Sequence, residues 1–332
     1  MVNTSEISFL QNKIFNIENQ NDFAQTCLEV FYYQYKNNEL YRTFADLLSK
    51  NPDKVQRFDQ IPFLPISFFK EHKVYGSELP QQKIFSSSGT TGMIPSLHYV
   101  ADLQLYETSF LKSFQQFYGN VEDYTILALL PGYLEREGSS LVYMVEKLIA
   151  LTKDELSGFY LYDHQKLIEN LKLAQQKKRK ILLIGVTYAL LDLAENNQLD
   201  LGETIVMETG GMKGNRKEML REEIHIMLKQ KLGVNEIHSE YGMTELLSQA
   251  YSHGNGIFRT PNWMRILIRD MNDPLTNLGT GRSGGVNIID LANLHSCSFI
   301  STMDLGKTYE NGDFEILGRF DASDLRGCNL MV

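Results

Sequence analysis

Residues 86–92 read Ser-Ser-Ser-Gly-Thr-Thr-Gly and sit between Phe85 and the apolar pair Met93-Ile94. Glycine and small hydroxyl residues disfavour helix and strand alike, so the stretch is expected to be a loop. Its chemistry would suit a phosphate. Glycines let the backbone approach an anion closely, and the hydroxyls of Ser86, Ser87, Ser88, Thr90 and Thr91 add donors beside Gly89 and Gly92. No Gly-Lys-Ser/Thr follows, so this is not the common P-loop. A mobile polar loop would have the same composition, and the segment alone leaves both readings open.

Three further segments carry groups a nucleotide could use. In HSEYGMTELLSQAY (238–251), an apolar strand ends on Tyr241-Gly242-Met243-Thr244-Glu245. A tyrosine can stack on a planar base, a threonine can donate to phosphate, and a carboxylate can hold Mg²⁺ through its oxygens. METGGMKG (207–214) again places glycines, Gly210 and Gly211, at a strand end. STMDLGKTYENGDFEILGRFD (301–321) offers Asp304 for two ribose hydroxyls and Arg319 for a phosphate. Each is a weak signal singly; four in this order are not.

The elements that must hold these groups alternate. Apolar positions recur every three to four residues over 19–50, 102–118, 138–151 and 215–232, which predicts helices. Apolar runs at 124–130, 180–186, 204–211 and 235–242 predict buried strands. Strands alternating with helices of this length indicate α/β architecture with much parallel sheet. The hydroxyl loop is expected to lie between a β-like segment (83–85) and a later helix. IPFLPISFFKEH (61–72), with two prolines, suits an extended connector. Beyond about 256 short strands take over, with turns expected at Asn272-Asp273-Pro274, Gly284-Gly285 and Asn311-Gly312. The KKRK run at 177–180 reads as a solvated helix end.

The four segments together resemble the adenylate-forming superfamily of acyl-CoA synthetases, peptide-synthetase adenylation domains and luciferases, over about residues 60–328. SSSGTTG looks like the phosphate loop, YGMTE like the nucleotide-and-magnesium motif, and Asp304 with GRFD like the ribose and hinge motifs. PGYLEREGSSLVYM (131–144), ETGGMKG (208–214) and the ending GRFDASDLRGCNLMV resemble, more narrowly, the LuxE-type acyl-protein synthetases, the long-chain-fatty-acid–luciferin-component ligases.

That resemblance implies an α/β fold of mixed sheets with flanking helices and a β-rich C-terminal part, the large N-terminal domain of these enzymes. The domain would span 1–317, with a helical segment at about 1–60, followed by a hinge and short tail at 318–332. The superfamily's small C-terminal domain, with its lysine, would be largely absent. Ser86 to Gly92 would wrap the ATP phosphates, and Gly210 and Gly211 would border the adenine with Tyr241 packed on its ring. Gly242 and Met243 would also contact the nucleotide. Thr244 would contact phosphate, Glu245 would ligate Mg²⁺, Asp304 would hold the ribose and Arg319 would sit near the hinge. Ser96 follows Pro95 where many members place a lysine.

The reaction so implied turns a carboxylic acid, of the fatty-acid class, into an acyl-adenylate. The acyl acceptor would be Cys328, whose neighbour Arg326 favours thiolate, with delivery to a reductase or acyltransferase partner. Without the resemblance, Cys328 reads as an incidental tail cysteine. Cys27 lies on an apolar helical stripe and reads as core, while Cys297 stays open between the two. Two rivals remain: a ligase of the phenylacetate-CoA ligase type that gives the acyl group to CoA or a carrier protein, and a non-catalytic adenylate-binding module.

Composition sets outer bounds. The 332 residues are 43% hydrophobic and 22% charged, ample for a core. A net charge of −9 argues against wholesale nucleic-acid binding. Three dispersed cysteines point to a reducing compartment, and the sequence shows no secretory signal or membrane-length apolar run, so a cytoplasmic protein, with a homo-oligomer compatible, is expected.

Overall fold

The computed structural model describes residues 4–87, 94–131, 138–210 and 219–320, and these divide into two compact units. Among the described residues, the first comprises 4–87, 94–109, 244–248 and 259–320; the second comprises 110–131, 138–210, 219–243 and 249–258.

The first unit opens with helices α1 (Thr4–Ile14), α2 (Gln20–Asn37) and α3 (Glu39–Leu47). The stretch expected to be helical over 19–50 thus forms two helices. Asn38 divides them, because its extended backbone ends α2 and its side chain caps α3 by accepting from the Tyr41 amide. The Pro-rich connector contains the short strand β1 (Leu64–Pro65), parallel to a later strand, and then one turn of helix, α4 (Phe68–Glu71). Strands β2 (Lys83–Ser86) and β3 (Leu97–Val100) pair antiparallel, from Lys83 opposite Val100 to Ser86 opposite Leu97. The hydroxyl loop therefore joins two strands, not a strand and a helix as expected. Helix α5 (Leu103–Tyr118) follows β3.

The second unit is the α/β part. Strands β4 (Tyr124–Leu129), β5 (Gly158–Phe159), β6 (Lys180–Gly185), β7 (Ile205–Glu208) and β8 (Ile237–Tyr241) form a parallel sheet in the order β5-β4-β6-β7-β8, and β9 (Ala250–Ser252) adds antiparallel to β8. Helices α6 (Ser140–Thr152), α7 (His164–Gln176), α8 (Thr187–Asn196) and α9 (Arg221–Leu232) connect them, as parallel strands require. All six β4 residues are buried, the mark of a strand covered on both faces. The short strand β10 (Ile257–Arg259) lies beside β9.

The β-rich C-terminal part belongs to the first unit. Strands β11 (Met264–Arg269), β12 (Asn277–Leu278), β13 (Ser283–Asp290), β14 (Phe299–Thr308) and β15 (Phe314–Arg319) pair antiparallel in the order β12-β11-β13-β14-β15. The expected turn at Gly284-Gly285 is instead strand. A Cβ on Gly284 would stand 2.3 Å from the Arg269 carbonyl oxygen, and one on Gly285 would stand 2.5 Å from the Arg269 guanidinium carbon. These glycines serve close packing against Arg269, not reversal of the chain. Among the described residues, no helix is long and apolar enough to cross a membrane.

Candidate functional site

In the first unit the hydroxyl loop is closed at its base. The Ser87 amide donates to the Ser96 carbonyl at 3.0 Å, and the Ser96 amide donates to the Ser87 hydroxyl at 2.9 Å. Ser86 ends β2. Ser88, Gly89, Thr90, Thr91 and Gly92 lie outside the described residues, as do Gly211 and Cys328. The Ser96 side chain is among the groups that draw down the carboxyl of Glu245, which is buried.

Thr244 and Glu245 are braced from behind. His98 on β3 donates from Nδ1 to the Thr244 carbonyl at 2.8 Å, which fixes the tautomer and leaves Nε2 to accept from the Ser296 hydroxyl at 2.9 Å. Burial holds His98 down at about 4, so the ring is neutral. Asn293 donates from Nδ2 to the Glu245 carbonyl at 2.7 Å. Asp290, the last residue of β13, accepts from the amides of Leu247 and Ser248, both at 2.9 Å, the Ser248 hydroxyl at 2.6 Å and the Ala292 amide at 3.2 Å. Sequence reasoning missed His98, Asp290 and Asn293. The 244–248 groups they hold lie 42 to 146 residues away, and no local pattern marks them.

Burial pushes Asp290 up to about 6, against the pull of its four donors. Its native pKa lies above the unfolded one, so the native state holds a proton that the unfolded chain has lost. The resulting stabilisation shrinks as pH rises from the ordinary aspartate range to about 6 and is flat above it. Asp290→Asn keeps the size but sets an NH₂ against buried donors, and it should cost about 1–3 kcal/mol. Urea unfolding from pH 4 upward checks this: the wild-type advantage should narrow as pH rises to about 6, and a pH-independent difference would remove Asp290 from that titration.

Asp304 and Arg319, given ribose and hinge roles by resemblance, face each other across β14 and β15. Arg319 Nε stands 3.4 Å from Asp304 Oδ1. Arg269, unremarked in the sequence, donates to the carbonyls of Val286 at 2.8 Å and Thr302 at 2.5 Å, which fixes the strand leading to Asp304.

In the second unit, Gly210 and Tyr241 stand at the C-terminal ends of the adjacent parallel strands β7 and β8, where ligands of open α/β sheets bind. Gly210 has φ +72°, a backbone region that favours glycine. Its amide donates to Glu208 Oε2 at 3.0 Å, and its carbonyl accepts from the Thr187 amide at 3.2 Å. The Tyr241 ring is 5.8 Å from that of Phe258. Gly242 and Met243 follow, both half-buried. Glu240, half-buried beside Tyr241, is pushed up to about 8 by burial and then by the Glu208 carboxylate. His238 meets the Tyr118 hydroxyl through Nδ1 at 3.2 Å; burial, then His253, hold it down at about 4.

No protein-family model matches this sequence, and no curated protein does. Solved structures match its fold. A 2-hydroxyisobutyryl-CoA ligase in complex with 2-HIB-AMP and CoA is similar at TM-score 0.66 and 11% identity, over 97% of this chain and 70% of that one. ATP-bound MatB from Rhodopseudomonas palustris is similar at 0.55 and 16%, over 74% and 49%. A long-chain-fatty-acid–CoA ligase, FadD1, from Archaeoglobus fulgidus is similar at 0.51 and 18%, over 71% and 51%. The fold is that of the large N-terminal domain of adenylate-forming enzymes. The chain spans about half the length of the MatB and FadD1 chains that it matches.

The residues present suit Mg²⁺. Among the described residues, no group of three or more His, Cys, Asp or Glu could hold a metal by itself. Mg²⁺ instead takes one or two carboxylates together with substrate phosphates and water, and the buried Glu245 offers one.

Cys27 and Cys297 are both fully buried. Burial raises Cys27 well above the ordinary thiol range and pushes Cys297 up to about 12. Neither forms thiolate near neutral pH, which answers the question left open for Cys297.

Proposed function

We propose that this protein activates a carboxylic acid of the fatty-acid class with ATP and passes the acyl group to Cys328, for delivery to a reductase or acyltransferase. One observation carries the first half: His98, on the strand that leaves the hydroxyl loop, holds the Thr244 carbonyl of YGMTE at 2.8 Å. The likeness to structures holding ATP or an acyl-AMP supports the same reading.

In the first step the substrate carboxylate oxygen attacks the α-phosphorus of ATP, and the bond to the β-phosphate oxygen breaks. Pyrophosphate leaves, and the acid becomes a mixed anhydride. Catalysis of such a step is mostly positioning and charge neutralisation. Ser86 to Gly92 would hold the phosphates, Thr244 would donate to one of them, and Glu245 would hold Mg²⁺, whose charge offsets theirs. Gly210, Gly211, Tyr241, Gly242 and Met243 would border the adenine, Asp304 would hold the ribose hydroxyls, and Arg319 would sit at the nucleotide. In the second step the Cys328 thiolate attacks the acyl carbonyl, AMP leaves, and a thioester remains. The inert state of Cys27 and Cys297 supports Cys328 as acceptor.

A second reading gives the acyl group to CoA, and the CoA bound in the 2-hydroxyisobutyryl-CoA ligase structure favours keeping it. Acid-dependent ATP–pyrophosphate exchange across a panel of carboxylic acids tests the shared first step. Exchange should rise with long-chain acids. Nucleotide binding without exchange under any acid would leave the chain a non-catalytic adenylate-binding module.

A further inference from the structure

Glu208 ends β7 in the second unit and is only 6% exposed, yet it keeps its charge. Its Oε2 accepts from the Thr187 hydroxyl at 2.8 Å and the Gly210 amide at 3.0 Å, and its Oε1 accepts from the Ser239 hydroxyl at 2.9 Å. Arg221 Nε and His225 Nε2, both on α9, stand 3.8 and 3.7 Å from Oε1. Burial raises the carboxyl, but His225, Arg221 and the hydroxyl donors outweigh it and hold it at about 2. A buried carboxylate is expensive, and a core that needed only packing would be served by an apolar residue.

The partners show what the charge organises. Gly210 is gripped at both ends of its backbone, its amide by Glu208 and its carbonyl by the Thr187 amide. With its N–H spent, Gly210 offers a ligand the face of a peptide plane and no donor. The Arg221 guanidinium lies 5.5 Å over the ring of Phe258, and that ring lies 5.8 Å from Tyr241. One carboxylate therefore touches the turn at Gly210 directly and Tyr241 through two intervening side chains.

Resting on the adenylation reading above, we propose that Glu208 is a positioning residue for the adenine subsite: it fixes the Gly210 peptide on one side and, through Arg221 and the Phe258 ring packed at a tilt against it, Tyr241 on the other, so the purine is recognised between the Gly210 peptide and the Tyr241 ring. The neutral Glu208→Gln side chain turns an NH₂ toward donors on at least one side, so the walls lose their common anchor.

Calorimetric titration of the full chain with ATP and, separately, with inorganic tripolyphosphate distinguishes positioning from simple core stability. For Glu208→Gln, ATP affinity should fall about tenfold while tripolyphosphate affinity stays within about twofold, because only the adenosine end has lost its wall. In exchange assays the loss should appear as a raised KM for ATP, with a smaller fall in kcat. Should Glu208→Gln fail to fold, Thr187→Val removes one donor and should weaken ATP binding in the same selective way, while Thr187→Ser restores it. A wild type that binds ATP, with variants that bind it equally or lose both ligands in parallel, overturns the positioning role alone. A wild type that binds neither ligand overturns the adenylation reading with it.

Discussion

Cys328→Ser is expected to abolish thioester labelling by a radioactive fatty acid while acid-dependent pyrophosphate exchange continues. On the proposed mechanism the two steps would use different groups: adenylation would need the phosphate contacts, and acyl transfer a thiolate. Serine is close in size to cysteine but stays protonated near neutral pH, so the change removes nucleophilicity more than packing. Hydroxylamine-sensitive label should fall to background, because an unactivated serine hydroxyl is a far weaker nucleophile than a thiolate. Cys27→Ser and Cys297→Ser should keep their label, since both thiols are buried and held protonated. Label surviving in Cys328→Ser would sink the tail acceptor, and rapid acyl-CoA formation by that variant would favour transfer to CoA.

Glu245→Gln is expected to lower pyrophosphate exchange by about 10²–10³-fold, the scale on which removing one preorganised electrostatic group from an active site acts. Nucleotide binding should fall far less, because the hydroxyl loop and the adenine contacts remain. Burial raises the Glu245 carboxyl above the ordinary glutamate range; the Ser96 side chain, its own backbone amide, and the Arg319 and Lys70 charges draw it back part of the way. A carboxylate that must be ionised to hold Mg²⁺ loses function as pH falls through its own pKa. The acid limb of the wild-type exchange profile should therefore lie above the usual glutamate range and vanish in Glu245→Gln. Equal exchange by the two proteins would take Glu245 out of the metal role.

Where a residue's neighbours in sequence decide its structure, the sequence was legible. The apolar run 124–130 could only be a buried strand, and Tyr124–Leu129 is one. The amphipathic run 102–118 became Leu103–Tyr118. The strand ends at Glu208 and Tyr241 followed from apolar runs stopping at glycines, and the structure makes these strands neighbours. Where distant contacts decide, the sequence misled or was silent. Gly284-Gly285 looks like a turn until Arg269 is packed against it, and the hydroxyl loop looks like a strand-to-helix link until Leu97–Val100 pairs back on β2. Asp290 and His98 look like ordinary polar residues. Their significance lies in amides and carbonyls that chain folding brings from other segments. Glu208 was quoted only as the residue before Thr209-Gly210, because its charge is unreadable without the side chains of Thr187, Ser239 and Arg221 around it.

The two sealed thiols have a use of their own. Cys27 sits on α2 and Cys297 immediately before β14, at opposite ends of the first unit's sequence, and both are closed to solvent. An alkylating reagent can reach them only when the protein around them opens, so their modification rates time that opening at two points far apart in the chain. Matched rates would mean that the N-terminal helices and the β-rich part come undone in a single event; a faster Cys27 would mean that the helices peel away while the strands hold.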